Sequence, residues 1–228
     1  MKIVIVSATS FEIAPLLKHL EDHSKKSSFL DFQYNNTTII PLVTGVGALQ
    51  TAFAMARLKG MEEVDVVFNL GLAGTFKNHK LGEVVEVISD KFADLGVEEA
   101  DGSFTDVFEM GLTDEAAYPY VNGWIENSKQ KYTTGLKGVK GITVNKVHGT
   151  TASVESIETK YNPDVESMEG AGFFYASKML DVHTHQIRAI SNRVEKRNRE
   201  NWKIQEAIDN LNEYFINFLD QIIHLETK

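Results

Sequence analysis

The sequence predicts an α/β fold in which helices cover both faces of a central sheet, and two observations lead to this prediction. First, short runs rich in Val and Ile recur along the chain, which is typical of strands buried on both faces. Second, segments with helical spacing separate these runs, and the alternation of the two predicts three layers. The predicted strands are Lys2 to Ser7, Thr38 to Thr44, Val64 to Leu70, Val84 to Ser89, Gly141 to Val147 and Gln186 to Ser191.

Three segments are predicted to be helical. An Ala-rich segment runs from Gly47 to Leu58, and a second helix spans Gly170 to Leu180. From Ile204 to Ile223 apolar residues recur every three or four positions, which gives one helix face that docks on the core. No repeat or Pro/Ser-rich linker divides the chain, so we expect a single domain over residues 1–228. The stretch 94–127 lacks clear periodicity, and we expect a lid or a subunit contact there.

The composition excludes several classes of function. The chain of 228 residues has 23 Lys and Arg against 32 Asp and Glu, a formal net charge of −9, whereas polyanion binding needs the opposite excess. We therefore expect no nucleic-acid partner. There is no cysteine, which rules out disulfides, thiolate metal sites and cysteine nucleophiles and fits a reducing cytoplasm.

The apolar run near the N-terminus, Ile3 to Val6, is too short for the core of a signal peptide before Ser10 and Glu12 interrupt the pattern. No later stretch reaches the roughly 18 uncharged apolar residues that a membrane helix needs. We therefore expect a soluble, cytoplasmic protein without a membrane partner.

Three glycine-bearing segments follow predicted strands: Thr44 to Gly47, Gly71 to Gly74, and His148 to Thr150. Ligands of open α/β sheets bind beyond the carboxyl ends of strands, where glycine lets backbone amides come close to them. None of the three is a dinucleotide fingerprint or a P-loop. We predict turns at all three, and taken singly a structural turn explains each of them better than a ligand site.

Two carboxylates stand at positions that favour chemistry. Thr9 and Glu12 have the spacing of a capping box, in which Glu12 only satisfies a backbone donor. A helix capped by Thr9 would, however, place Pro15 in its interior, where proline removes a hydrogen bond and clashes with the preceding turn. Glu169 is predicted at a strand-to-helix junction among small residues, and its structural alternative is a solvated carboxylate favoured by the helix dipole.

A third motif is an apolar strand that ends in polar residues. It completes a series along the chain: the first strand with Glu12, Gly45 and Gly47, Asn69 with Gly71 to Gly74, Met168 with Glu169, and Arg188 to Asn192. In order and approximate spacing this series resembles the nucleoside phosphorylase and nucleosidase superfamily, most closely its nucleosidase branch. The resemblance implies an α/β/α sandwich with a central mixed sheet, cleavage of an N-glycosidic bond, a homo-oligomer, no cofactor and no metal.

One position departs from the adenosine-type members of this family, which have Asp where this chain has Asn192. A protonated Asp can donate to purine N7 and accept from a 6-amino group, whereas an amide can donate to O6 and accept from a protonated N7. Asn192 therefore predicts hypoxanthine or guanine as the leaving base. Because an amide cannot supply a proton, the base must be protonated by water or another group, which the sequence does not identify.

The placement of arginine favours hydrolysis over phosphorolysis. Phosphorolytic members usually gather arginines on phosphate, and here the first arginine is Arg57. Glu12 lies where the hydrolytic relatives have the acid that activates water. The run from Ser191 to Arg199, followed by Trp202, is similar to one hydrolytic member whose substrate carries an anionic 5′ extension. We therefore expect a small-molecule purine nucleoside with such an extension as the substrate.

The resemblance also implies a role for each matching residue. Glu12 would activate water, Asn192 would stabilise the leaving base, and Arg188 would orient Glu12 or form only a structural ion pair. Arg193 is the first candidate for the anionic extension, and Lys196, Arg197 and Arg199 are either further candidates or only a solvated charged turn. The residues expected to bind substrate are Ala73, Gly74, Met168, Glu169, Ser191 and Arg193.

Three alternative functions stay open at this point. They are an inosine/guanosine phosphorylase or hydrolase, a methylthioadenosine-type nucleosidase, and a non-catalytic nucleoside-binding protein. His183 and His185 alternate on a predicted strand, but no third ligand stands out nearby, so we predict no metal site.

Overall fold

Helices cover both faces of a mixed sheet in the computed structural model, which describes residues 1–26, 31–60 and 64–226. The helices are α1 Ala14–His23, α2 Ala48–Ala56, α3 Thr151–Tyr161, α4 Gly170–Leu180 and α5 Ile204–Glu226, with a 3-10 turn at Arg199–Asn201. The strands are β1 Lys2–Ser7, β2 Lys25–Lys26, β3 Phe32–Tyr34, β4 Thr37–Val43, β5 Val66–Thr75, β6 Val84–Phe92, β7 Gly96–Glu98, β8 Phe104–Asp106, β9 Ile125–Glu126, β10 Lys137–Thr143, β11 Val165–Ser167 and β12 Thr184–Arg193.

The ten-stranded sheet has the order β11-β10-β6-β12-β5-β1-β4-β3-β2, and β9 pairs with β6. Strands β1, β4, β5 and β12 run parallel, so their carboxyl ends lie at one edge of the sheet. Strand β6 is antiparallel to β12, and β11 is antiparallel to β5. The prediction of a mixed sheet is therefore confirmed, and the common edge of the parallel strands is where the predicted site residues meet.

Alternate residues of β1 point into two separate apolar cores. Ile3 and Ile5 belong to the cluster under α1 and α5, whereas Val4 and Val6 belong to the cluster under α2 and α4. All four side chains are at most 1% exposed. Burial on both faces explains why the strand is apolar without interruption, and it confirms the three-layer prediction.

The predicted strand boundaries differ most from the structure at β5 and β10. Gly71 to Gly74 form no turn, because β5 continues to Thr75 and pairs with β12 along this whole stretch. Strand β10 begins at Lys137 and ends at Thr143, earlier than predicted, because its polar first residues pair with β6 while residues 144–150 form a loop. The other two glycine-bearing segments lie between a strand and a helix, as predicted.

The stretch 94–127 contains more regular structure than its sequence pattern indicates. Strands β7 and β8 form a small antiparallel sheet there, and β9 joins the main sheet beside β6. Its role as a lid or subunit contact stays a prediction.

His185 is engaged by protein groups at both ring nitrogens. Its Nδ1 lies 2.7 Å from Oε1 of Glu86, and Nε2 accepts from the backbone N–H groups of Lys131 and Tyr132, both at 3.3 Å. Within residues 1–26, 31–60 and 64–226 no group of three His, Cys, Asp or Glu side chains is placed to hold a metal ion. None of the helices in these ranges has the length and apolar content needed to span a bilayer.

Candidate active site

The shared edge of the parallel strands brings distant motifs together. Glu12 follows β1, Gly47 follows β4, Gly74 lies at the end of β5 and Asn192 lies at the end of β12. Strand β11 runs antiparallel to β5 and therefore leads the chain back over this edge to Glu169. Sites in open α/β sheets form at such an edge.

Glu12 is held by a turn that precedes helix α1. Its Oε2 accepts from the N–H and hydroxyl of Thr9 at 3.1 and 3.0 Å and from the hydroxyl of Ser7 at 3.3 Å. The backbone N–H of Glu12 donates back to Thr9 Oγ1 at 3.4 Å. The helix itself begins at Ala14 with Pro15 in its first turn, where a missing N–H costs nothing. The capping-box pattern and Pro15 are therefore compatible, because the turn and the helix are separate.

The other carboxylate oxygen of Glu12 faces the sheet. Oε1 accepts from the backbone N–H of Leu72 at 3.2 Å, and a carboxylate oxygen has a second lone pair with which it can accept a proton from water. On the far side of the same turn, Asn212 of α5 donates to the Glu12 carbonyl at 2.8 Å and accepts from the N–H of Leu16 at 3.1 Å. Glu12 is thus fixed from the sheet and from the last helix.

The side chains of Arg188 and Glu12 both lie next to Gly71. A Cβ on Gly71 would lie 3.1 Å from Glu12 Oε1 and 3.5 Å from Arg188 Nη1, so only glycine leaves the two groups room. Arg188 is 1% exposed, and its Nη1 donates to the carbonyls of Asn69 and Ile187, both at 3.2 Å, and to Asn69 Oδ1 at 3.1 Å. Asn69 therefore fixes the guanidinium group.

Arg188 forms no ion pair within 4.0 Å in the described part of the chain, so the alternative of a structural ion pair is absent there, and the expected role of orienting Glu12 stays a prediction. Its charge still acts on its surroundings. Burial lowers the pKa of Arg188, and the carboxylates of Glu169, Glu12 and Asp90 counter this by stabilising the cation. The guanidinium group is thus the shared counter-charge of three carboxylates.

Glu169 is the residue before helix α4, and it does not behave as a solvated carboxylate. It is partly buried, forms no cap on its own helix, and its Oε1 accepts from the backbone N–H of Gly47 at 2.9 Å. Burial raises the pKa of Glu169, while Arg188 and the Gly47 N–H oppose the rise. Met168, next to it, is partly buried as well.

Asn192 is aimed by a bulge in β12. The register with β5 shifts between Ile190 and Asn192, so Ser191 is an extra residue, as bulges beside active sites often are. The Ser191 hydroxyl lies 2.8 Å from Asn192 Oδ1 and 3.3 Å from the carbonyl of Ala73. A Cβ on Gly74 would lie 3.0 Å from Asn192 Nδ2, so the glycine makes room for the amide.

A cavity of about 60 Å³ opens beside this amide. Its lining includes Asn192, Arg193, Trp202, His148 and Glu166. Arg193 is exposed and its Nη1 donates to the carbonyl of Lys77 at 3.2 Å.

The cations after Arg193 are in part engaged by an aromatic ring. Arg197 and Arg199 lie over the ring of Trp202, at 5.1 and 5.7 Å from its centroid. A solvated turn is therefore an incomplete description of this run.

Sequence reasoning missed two buried acids. Asp90 is fully buried and accepts from Lys91 N, Thr143 Oγ1 and Gln186 Nε2 at 2.9, 2.8 and 2.9 Å. Burial raises the pKa of Asp90 to about 6 against the effect of these hydrogen bonds. Glu166 is 4% exposed and bonds to His148. For Asp90 the available signal was an acid directly after the β-branched run Val84 to Ser89, and no comparable run precedes Glu166.

The fold and this arrangement define a member of the phosphorylase superfamily: the chain matches that family over residues 2–224 and belongs to it. Curated relatives are similar over most of the chain. A protein from Acidothermus cellulolyticus named futalosine hydrolase is 31% identical over 218 residues, 93% of this chain and 87% of the relative. One from Thermus thermophilus with the same name is 30% identical over 183 residues, 77% of this chain and 78% of the relative.

Solved structures show the same fold at lower identity. The native futalosine hydrolase of Helicobacter pylori aligns with a TM-score of 0.78 and 16% identity over 97% of this chain and 98% of that one. The MTA/SAH nucleosidase of Streptococcus pneumoniae in complex with 8-aminoadenine aligns with a TM-score of 0.74 and 22% identity over 96% and 99%.

Proposed function

We propose that this chain hydrolyses the N-glycosidic bond of futalosine and releases hypoxanthine and dehypoxanthinyl futalosine, a step in menaquinone synthesis. The observation that carries the proposal is that Glu12, Glu169 and Asn192 meet at one edge of the sheet. The names of the curated relatives support futalosine as the substrate. The same relatives disfavour a methylthioadenosine-type nucleosidase, since both bear the name futalosine hydrolase.

Glu12 is the general base in this proposal. Its Oε2 is occupied by Ser7 and Thr9, so Oε1 takes the proton of the water that attacks C1′ of the ribose. A positioned base of this kind contributes on the order of 10²–10⁴ in rate. Arg188, fixed by Asn69, opposes the rise that burial causes in the pKa of Glu169.

Glu169 binds the ribose hydroxyls, and Met168 packs against the sugar and base. Asn192 binds the departing hypoxanthine, for which it offers a donor to O6. Such a directed hydrogen bond contributes a factor on the order of 10²–10³ to kcat. Gly74 leaves the amide its space, the Ser191 hydroxyl lies between Asn192 Oδ1 and the Ala73 carbonyl, and the bulge at Ser191 sets the direction of the amide.

The deciding experiment measures base release from futalosine, inosine and methylthioadenosine, with and without phosphate. We expect futalosine to be cleaved fastest and without phosphate. Strict dependence on phosphate would show a phosphorylase, and binding of futalosine without turnover would show a nucleoside-binding protein.

Arg193 is proposed to bind the anionic 5′ extension, since it is exposed at the mouth of the cavity that Asn192 lines. Arg193→Ala should then raise KM for futalosine more than for inosine, which lacks the extension. Arg57→Ala, at the exposed end of α2, is the matched control. Equal loss on both nucleosides would contradict the assignment.

We also propose that the chain forms a homo-oligomer. Phe11, Leu49 and Phe53 are 57%, 82% and 71% exposed around the α2 region that supplies Gly47 to Glu169. Apolar groups on this scale mark contact surfaces. Sedimentation of the wild type and of Leu49→Glu tests this, and a monomeric wild type would contradict it.

A further inference from the structure

A histidine and a glutamate share the cavity with Asn192, and the mechanism above uses neither of them. Glu166 Oε1 accepts from the backbone N–H of His148 at 3.1 Å, and Oε2 forms a short hydrogen bond with Nδ1 of the same residue. The His148 side chain is 16% exposed and lines the cavity, whereas Glu166 is buried. Nε2 has no hydrogen-bond partner among the residues that the structure describes.

The sheet fixes where this pair lies. Gly74 pairs with Glu166 of β11 on one side and with Asn192 of β12 on the other. Neighbouring strands are about 4.8 Å apart, so the backbones of Glu166 and Asn192 lie roughly 10 Å apart across Gly74. Gly74 lies between them in the sheet, and the side chains of His148, Glu166 and Asn192 line one cavity beside it.

The reaction needs a group with the chemistry of this pair. A purine leaves most readily as a neutral base, and an amide such as Asn192 has no proton to give. A histidine whose Nδ1–H is held by a carboxylate keeps one tautomer and orientation, and the carboxylate stabilises the imidazolium form that can donate from Nε2.

We propose that His148 is the general acid that protonates the departing base, with Glu166 as its positioning residue; this rests on the proposed function. As the C1′–N9 bond breaks, its electron pair moves into the purine and the Nε2 proton passes to N7. Hypoxanthine leaves neutral and His148 becomes neutral. Water adds to C1′ and gives its proton to Glu12. Glu12 then releases a proton to solvent and His148 takes one up, which restores both groups.

Asn192 has a complementary task in this assignment. Its Oδ1 keeps the hydrogen bond from Ser191 at 2.8 Å, and the Nδ2 hydrogen that is not bonded to the Arg193 carbonyl reaches O6. The amide thus reads the 6-oxo group while the histidine supplies the proton.

A substrate methylated at N7 tests the proposal, because its base already carries the positive charge and needs no proton. His148→Gln should lower kcat on futalosine by on the order of 10²–10⁴, and on N7-methylfutalosine by less than about tenfold. Retained cleavage of the methylated substrate also shows that the variant is folded. Glu166→Gln should also lower kcat on futalosine more than on N7-methylfutalosine, with a smaller fall on futalosine than His148→Gln causes. A merely structural role of Glu166 would lower both rates alike.

Two controls make the comparison specific. His79 pairs with Glu83 through Nδ1 at 3.0 Å but does not line the cavity, so His79→Gln should leave both rates unchanged. If the N7 methyl group does not fit beside His148, 4-nitrophenyl β-D-riboside replaces the methylated substrate, since nitrophenolate departs without a proton.

Equal losses of His148→Gln on futalosine and on the activated substrate would overturn the proposal, as would an unchanged rate on futalosine. A wild-type protein that leaves futalosine intact would instead defeat the proposed function. Inosine and 7-methylinosine then decide the role of His148 separately, and a protein that cleaves no nucleoside overturns both.

Discussion

The carboxylate of Glu169 accepts a hydrogen bond from the backbone N–H of Gly47 at 2.9 Å, although 122 positions separate them in the chain. Gly47 has φ 105° and ψ 155°, a conformation that only glycine adopts readily. The turn after β4 is therefore shaped so that a backbone donor, rather than a side chain, holds the carboxylate of Glu169.

Gly47→Ala should weaken both stability and substrate binding. Forcing a side chain into this conformation costs about 1–3 kcal/mol, and the shifted N–H releases Glu169, so KM for the nucleoside should rise. Gly60→Ala is the matched control, because Gly60 also has a positive φ of 90° and open space around its Cβ position. It should lower stability in urea unfolding without changing KM.

Glu12→Gln should abolish turnover and keep affinity. Loss of the base should lower kcat by on the order of 10²–10⁴, while a pure binding protein would lose nothing. Isothermal titration with futalosine and a rate measurement separate the two cases. Glu21→Gln, on the exposed face of α1, should match the wild type in both; an active Glu12→Gln enzyme would exclude Glu12 as the base.

Asn192→Asp should change which base leaves. The carboxylate repels O6 of hypoxanthine, and when protonated it suits a 6-amino purine. The ratio of kcat/KM for inosine over adenosine should fall by on the order of 10² or more. Asn201→Asp introduces the same charge on an exposed residue outside the cavity and should leave the ratio unchanged. A constant ratio in Asn192→Asp would remove this residue from base recognition.

Asp90 should make the folded state less stable as the pH rises. Its pKa is about 6 in the fold against an ordinary value of 3.8 for an aspartate, so between these values the folded state holds more protons than the unfolded one and stability falls with increasing pH. The loss is complete above the folded pKa and amounts to about 3 kcal/mol.

Asp90→Asn keeps an acceptor for Lys91 and Thr143 and removes this loss. Urea titrations measure the free energy of unfolding of Asp90→Asn and of the wild type at each pH. The variant's value minus the wild-type value should increase by about 3 kcal/mol between about pH 4 and about pH 7. Asp101→Asn is the control, because hydrogen bonds to Ser103 lower the pKa of the exposed Asp101. A wild-type stability that does not fall relative to Asp90→Asn would contradict the raised pKa.

Features that depend on local pattern were predictable from the sequence. The bounds of β1 and α4 agree with the prediction because an apolar strand and a helix between Glu169 and Asp181 have clear local signals. The order of the motifs around Glu12, Glu169 and Asn192 was sufficient to indicate the family. The single domain, the oligomer and the cytoplasmic location stay predictions.

Features that depend on strand pairing were not predictable. The sequence predicts a turn at Gly71 to Gly74 because strands usually end at runs of small residues. Pairing with β12 instead extends β5 through these residues. His148 and Glu166 meet only because β11 folds back on β5 beside the loop after β10. Neither the spacing of 18 positions between them nor their neighbours in the sequence indicates this contact.

The hydrogen bond from Asn212 to the carbonyl of Glu12 spans 200 positions. A ribosome therefore synthesises Glu12 long before it synthesises Asn212, which holds the same turn from its other side. In a nascent or prematurely terminated chain without α5, both hydrogen bonds between Asn212 and this turn are missing, and only the contacts with Ser7, Thr9 and Leu72 remain to hold Glu12. The turn that carries Glu12 is thus complete only once α5 has been made and has packed on the sheet.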